Sequence, residues 1–299
     1  MRSSNDFASG NDYLMTLNHD ELLAASVNDL PLSYSDTETM LYAQSIGFGR
    51  NPIDLKELPF VYEQGQLLRT VPTMASVLVP DMFPPDLGWD FTRVLHAEQR
   101  LQLHRPVPPS AELLINKRIV DVFDRGPKHG AMLLFEVDGR LAKDDTAVFT
   151  LGMTVMARGD GGFGGASGSA PPPHRVPRRD PDLSCECATR VDQALLFRLN
   201  GDRNPLHADP GTAGRAGFDV PILHGLCTYG IACRAILRTI CNYDDTLITG
   251  FDARFSSPVM PGDTIRTDMW QDSNIVSFSC TAVERDVIVL RNGKCTLAA

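Results

Sequence analysis

The sequence predicts an α+β protein in which antiparallel sheet wraps around one long buried helix, built twice along the chain. Three observations carry this. Strict alternation of apolar and polar residues marks strands late in each half of the chain: Ala147, Phe149, Leu151, Met153 and Val155 against Thr150, Gly152 and Thr154, then Val276, Phe278, Cys280 and Ala282 against Ser277, Ser279 and Thr281. Between them, Ile222 to Ile240 is apolar or small on nearly every side, the mark of a helix surrounded by protein. Finally, Arg105-Pro106-Val107-Pro108-Pro109 ahead of Ser110 to Leu113 is echoed 152 residues later by Ser257-Pro258-Val259-Met260-Pro261 ahead of Gly262 to Ile265.

A second echo, at offset 153, pairs Arg50-Asn51-Pro52-Ile53 with Arg203-Asn204-Pro205-Leu206. Two echoes at nearly one offset point to duplication of a unit of about 150 residues; chance recurrence of proline turns is the alternative. The boundary between the copies falls in residues 159–182. There Gly161, Gly162, Gly164, Gly165 and Gly168 precede Pro171, Pro172, Pro173, Pro177 and Pro181, a composition that holds neither helix nor central strand. The glycines resemble a phosphate loop only superficially, since no Lys-Ser/Thr pair and no helix follow. The expected division is an N-terminal extension (1–29), a first unit (30–158), the linker (159–182) and a second unit (183–299).

Composition excludes whole classes. With 37 Asp+Glu against 28 Lys+Arg and a formal net charge of −9, the chain is not a dedicated binder of nucleic acid or anionic membrane. No apolar signal segment is visible. The best membrane-span candidate, 222–240, is broken by His224, Arg234 and Arg238. Seven cysteines, an odd number all at or after Cys185, suggest free thiols in a reducing compartment. Cys185 and Cys187 lack the second Cys/His pair that a zinc site needs, so no metal is expected.

Chemistry concentrates between Phe197 and Gly225. Gly201 and Pro205 stop a helix from running through Asp202-Arg203-Asn204-Pro205-Leu206-His207, placing a carboxylate and an imidazole on one irregular turn where they can hold and deprotonate a water. Asn204 between them can orient it by donating a hydrogen bond. Just beyond, the start of the apolar helix offers free backbone N–H groups near His224 and Gly225, suited to a developing oxyanion.

The string from Leu199 to Gly230 resembles the hydratase 2 signature of the MaoC-like dehydratase family. The resemblance extends from about Leu30 onward, through Leu41-Tyr42-Ala43, Phe60-Val61-Tyr62-Glu63, Val94 to Gln99, Gly161 to Gly165 and Pro261-Gly262-Asp263. It implies a double hotdog fold, in which two antiparallel sheets build one active site with the long central helix in the C-terminal unit. It also implies R-specific hydration of trans-2-enoyl-CoA, with a CoA thioester as substrate and no cofactor. Asp202 and His207 then correspond to the acid/base pair, Asn204 to its orienting partner, Gly225 to the backbone oxyanion donor and Glu63 to a functionally important acid. His96, Ala97, Arg125 and Phe255 fall where members contact the CoA thioester. Arg125 is either a phosphate partner or a solubilising charge.

In the first unit Gly49 and Asp54 stand where the second has Asp202 and His207, so one copy has lost its pair and is left to hold the acyl chain. Tyr42, Pro72, Met74 and Val77 are candidates for that pocket's wall. Two departures from the family pattern are Phe197, where Tyr is common, and Ala97, where Gly is usual. Expected further are a homodimer, because exposed sheet edges are usually paired, and a cytoplasmic location, since the last residues, Thr296 to Ala299, are not a peroxisomal Ser-Lys-Leu type signal. A hydratase for a bulky acyl-CoA, such as a steroid side chain or branched diacid, and a non-catalytic acyl-CoA-binding subunit are the competing functions.

Overall fold

A computed structural model describes residues 19–64, 67–79, 94–166, 168 and 171–299; most of the expected N-terminal extension, including everything before Met15, lies outside them. In chain order the elements are α1 (His19–Ala24), β1 (Ser26–Tyr34), α2 (Asp36–Ser45), α3 (Ala75–Leu78), β2 (Val94–Leu103), β3 (Ala111–Asp124), β4 (Ala131–Leu141) and β5 (Ala147–Ala157). They continue as β6 (Leu183–Ala188), α4 (Gln193–Phe197), α5 (Pro210–Arg215), α6 (Gly225–Thr239), β7 (Ile248–Phe255), β8 (Thr264–Asp272), β9 (Ile275–Ala282) and β10 (Val287–Leu297).

The ten strands form one antiparallel sheet in the order β1-β3-β4-β5-β2-β7-β10-β9-β8-β6. Read inward from either edge, the order is the same once β6 to β10 are matched to β1, β3, β4, β5 and β2 in the sense β6/β1, β8/β3, β9/β4, β10/β5 and β7/β2. The two antiparallel sheets of a double hotdog therefore join edge to edge at the β2–β7 ladder. On the ladder's outer face the charges alternate, Glu98 opposite Arg254 and Arg100 opposite Asp252. Arg254 Nε contacts the Glu98 carboxylate, which also accepts from Thr154 Oγ1 at 2.9 Å.

Helix α6 fills the concave side, with every residue from Cys227 to Leu237 buried. It begins three residues later than its apolar pattern suggests. Leu223 is still extended and bridged to Val259, and Pro221 cannot donate to a helical ladder. The first unit's counterpart is the shorter α2, capped by Ser35 and Glu38. The two helices meet at Gly230, where an added Cβ would lie 2.7 Å from the Tyr42 hydroxyl and from Ile46.

Tyr42 and Met74, expected to line a substrate pocket, are instead core residues at 0% and 1% exposure. The Tyr42 hydroxyl bonds Thr73 Oγ1 at 3.0 Å. Both sit where α2 and the Pro72–Met74 turn close on α6, a junction that needs apolar bulk.

The 159–182 segment is tethered at several points. His174 Nε2 lies 2.8 Å from Ser277 Oγ, Asn292 Nδ2 donates to the His174 carbonyl at 2.7 Å, and Trp270 Nε1 donates to the Arg179 carbonyl at 2.8 Å. All seven cysteines are free and buried. No helix among the described residues is long and apolar enough to cross a membrane.

Candidate active site

The turn that carries Asp202 and His207 is shaped by its own short polar side chains. Gly201 takes φ +124, a region that favours glycine. Asp202 Oδ1 then accepts from Asn204 N–H at 3.0 Å, and Asn204 Oδ1 accepts from Leu206 N–H at 3.0 Å. These successive turns, with Pro205 opening the 3-10 turn Pro205–His207, bring Asp202 and His207 to one place without a helix. Asn204 thus commits its oxygen to the backbone, which leaves only its amino group free to donate.

His207 is buried at 9% exposure, and its Nδ1 is 2.8 Å from the Ile222 carbonyl. A carbonyl only accepts, so Nδ1 carries the proton and Nε2 keeps a free lone pair. His224, at 1% exposure, stacks on His207 with ring centroids 3.7 Å apart at 26°, while Phe197 closes its other side at 5.0 Å. His224 Nε2 lies 3.3 Å from the Asp202 carbonyl, fixing the opposite tautomer. One ring nitrogen of each histidine and one Asp202 carboxylate oxygen fall within 4.8 Å of one another. The trio sets two imidazoles, each with one nitrogen bonded to a carbonyl, beside a carboxylate, groups that can exchange protons.

Burial keeps these imidazoles neutral. It holds His207 below the ordinary histidine value against the opposing pull of the Ile222 carbonyl and Asp202. It takes His224 down to about 4, helped by the neighbouring His207. His96 is also pushed to about 4 by burial, with Asp202 pulling the other way.

His96 comes from the first unit. A bulge at Ala97 interrupts the β2–β5 ladder between His96 and Glu98, so that His96 stays level with Val155 while Glu98 turns to the outer face. The His96 ring lies 5.0 Å from Phe255. Phe255 in turn lies across the N-terminus of α6, where a Cβ on Gly225 would meet its ring at 3.0 Å. Gly225 and Leu226 open the helix, so their N–H groups have no intrahelical acceptor. His96, Ala97, Asp202, His207, Gly225 and Phe255 therefore gather where the β2–β7 junction meets the start of α6, with one side supplied by each unit.

Two expected site residues lie elsewhere. Glu63 is exposed on the loop after Val61, with no bond to Asp202 or His207 among the described residues. The buried acid of that stretch is Glu57, paired with Arg234 of α6 at 2.6 Å. An arginine inside an otherwise apolar helix must find an acid, and the sequence carries that signal. Arg125 is exposed at the β3–β4 turn, where its guanidinium contacts the Gly168 carbonyl at 3.5 Å rather than Asp202 or His207. His224, stacked on His207, is a neighbour to which the sequence assigns no role; its place just before the buried helix is the clue.

The neutral histidines have a measurable consequence. A buried imidazole whose value falls from about 6.5 unfolded to about 4 folded binds more protons unfolded, so stability is full above pH 6.5 and is lost as the pH falls toward 4. For His224 alone the loss is of order 3 kcal/mol. Urea unfolding at pH 7 and pH 5 should show about 2 kcal/mol of it, and His224→Phe, which cannot titrate, should flatten the dependence. An unchanged slope in that variant would remove His224 as its source.

Comparison with known proteins agrees with this architecture. A MaoC like domain matches residues 173–292, and an MFE-2 hydratase 2 N-terminal domain matches residues 32–159. An enoyl-CoA hydratase of Mycobacterium tuberculosis is 34% identical over 284 residues, covering 93% of this chain and 98% of that protein. The peroxisomal enoyl-CoA hydratase 2 of Arabidopsis thaliana is 35% identical, over 91% and 93% of the two chains. The crystal structure of a MaoC-like dehydratase from Phytophthora capsici superposes with a TM-score of 0.82 at 30% identity, over 93% and 98%. With both halves matched in order and the two-sheet architecture reproduced, the chain is a member of the MaoC-like family of the hydratase 2 type, with a double hotdog fold.

Proposed function

We propose that this protein is a hydro-lyase that reversibly hydrates trans-2-enoyl-CoA to (3R)-3-hydroxyacyl-CoA. The observation that carries the reading is the His207 tautomer: with Nδ1–H given to the Ile222 carbonyl, Nε2 is left as the free base, on a ring that has one nitrogen within 4.8 Å of an Asp202 carboxylate oxygen. A water held between them loses a proton to Nε2 as its oxygen bonds to C3 of the enoyl group. The C2–C3 π electrons move toward C2, and charge collects on the thioester oxygen, where the Gly225 N–H donates. The new imidazolium, stabilised by Asp202, returns the proton to C2, so the enzyme ends as it began.

The first unit supplies His96 and the acyl side of the site, while the second supplies the reacting groups. In this reading the sheet edges at β1 and β6 are covered in a homodimer. The retained water-activating pair disfavours a purely binding role, which would need no base. Loss of the enoyl-thioester absorbance of crotonyl-CoA, followed by chiral analysis of the product, tests the function. Hydration to the 3R alcohol is expected; tight binding without turnover, or a 3S product, would overturn it.

A further inference from the structure

His224 fills its place with a polar atom that the packing does not need. One face of its ring is covered by Phe197, with centroids 5.0 Å apart, and the other by His207 at 3.7 Å, so that the residue is 1% exposed. Burial keeps the imidazole neutral near pH 7, so one ring nitrogen carries a hydrogen and the other a lone pair. Nε2, 3.3 Å from the Asp202 carbonyl oxygen, is the donor. The lone pair of Nδ1 is buried and has no hydrogen-bond partner among the described residues. An unmatched buried acceptor destabilises a fold, and phenylalanine would fill the same flat slot without one. What an imidazole does here that phenylalanine does not is donate to Asp202.

The surroundings of Asp202 show what that bond holds. Residues Gly201, Asp202, Arg203 and Asn204 are all exposed, on a turn opened by a glycine at φ +124. Asp202 Oδ1 accepts from Asn204 N–H at 3.0 Å, which fixes the carboxylate within its own turn but not the turn within the protein. The other end of the turn is anchored, because His207 Nδ1 donates to the Ile222 carbonyl at 2.8 Å. His224 stands two residues beyond Ile222, as the N-cap residue of α6. Both ends of the Asp202–His207 turn are thus tied to one short segment, His207 to Ile222 and Asp202 to His224. That segment runs straight into the buried helix, so it is a rigid reference for both groups.

We propose that His224 is a positioning residue for the hydration: its Nε2–H holds the Asp202 carbonyl, so that the Asp202 carboxylate keeps its place beside His207 and the water they share. This rests on the hydratase reading and deepens it, since His224 acts through Asp202 rather than on the reacting atoms. Two variants separate the bond from the ring. His224→Phe keeps a flat ring against His207 and removes the donor, whereas His224→Gln removes the ring and keeps a side-chain N–H of similar reach. If His224→Phe does not fold, His224→Asn, whose amide is too short for the carbonyl, takes its place. Each is also made with Asp202→Asn, which leaves a side-chain oxygen for the Asn204 N–H but no charge.

With crotonyl-CoA, kcat is expected to fall about ten- to a hundredfold in His224→Phe, the scale for a catalytic group displaced by up to about 1 Å. KM should change by less than about twofold, because the lost interaction acts in the transition state. His224→Gln should recover most of kcat. With Asp202→Asn already present, His224→Phe should have no further effect, since groups that act as a unit are not additive. A wild-type kcat in folded His224→Phe, an equal fall in both backgrounds, or a Gln variant as slow as the Phe variant would overturn the proposal. Hydrogen exchange in a peptide spanning residues 201–207 reads the tether without turnover. Exchange is expected to quicken in His224→Phe and to stay at the wild-type rate in His224→Gln; an unchanged rate in His224→Phe would also overturn it. A wild type that hydrates no enoyl thioester would remove the hydratase reading instead, and the exchange comparison would still decide whether His224 holds Asp202.

Discussion

His207→Ala is expected to lower kcat for crotonyl-CoA by about 10²- to 10⁴-fold, the range for removing a positioned acid/base group, with a smaller change in KM. Asp202→Ala should fall in the same range. The double variant should lose little more than the worse single, because the two groups act on one water and their effects are not additive. The pH profile provides a second reading. His207 must be neutral to accept the proton, and burial holds its value below the ordinary 6.5, so the rate should be flat near pH 7 and fall only on the acid side. Circular dichroism and thermal melting establish that the variants fold, which is needed because His207 also stacks on His224. Near wild-type hydration by a folded His207→Ala enzyme would sink the assignment.

Much of this site is legible in the amino-acid sequence, for definite reasons. Gly201 and Pro205 forbid a helix, so the Asp/His turn can be read from residues whose backbone preferences are strong. The strand alternation in β5 and β9 and the all-round apolar face of α6 are also strong local signals. Contacts between units are not legible, because no local pattern encodes them. That His96 from β2 meets Phe255 from β7 depends on the ladder joining the half-sheets. Nor does sequence alone show that Tyr42 is taken up by the packing of α2 on Gly230 rather than by substrate. The acid of the first unit shows the same limit: Glu63 has the motif, whereas Glu57 has the burial, and only the position of Arg234 in three dimensions separates them.

Glu57→Ala is accordingly expected to destabilise the fold by about 3 to 5 kcal/mol, the cost of leaving one charge of a buried pair alone. The carboxylate is 1% exposed. Its Oε1 accepts from Arg234 Nε at 3.0 Å, from Arg234 Nη2 at 2.6 Å and from the Tyr243 hydroxyl at 3.2 Å, while Oε2 accepts from Gly49 N–H at 2.9 Å. The guanidinium also rests on the Phe48 ring, 5.4 Å from its centroid. Removing the carboxylate strands a guanidinium in an apolar helix and orphans the Gly49 N–H, the position that echoes Asp202. The loop that lacks the water-activating pair therefore serves as the clasp between the first unit and the central helix. At about 2 to 4 °C per kcal/mol for a chain of this size, the melting temperature should drop by about 10 °C. Replacing both charges, as Glu57→Leu with Arg234→Met, should cost less than the sum of the two single changes, because no lone charge is left behind. Additive losses in that cycle would show that the two residues stabilise the protein independently, and that the clasp does not operate as a pair.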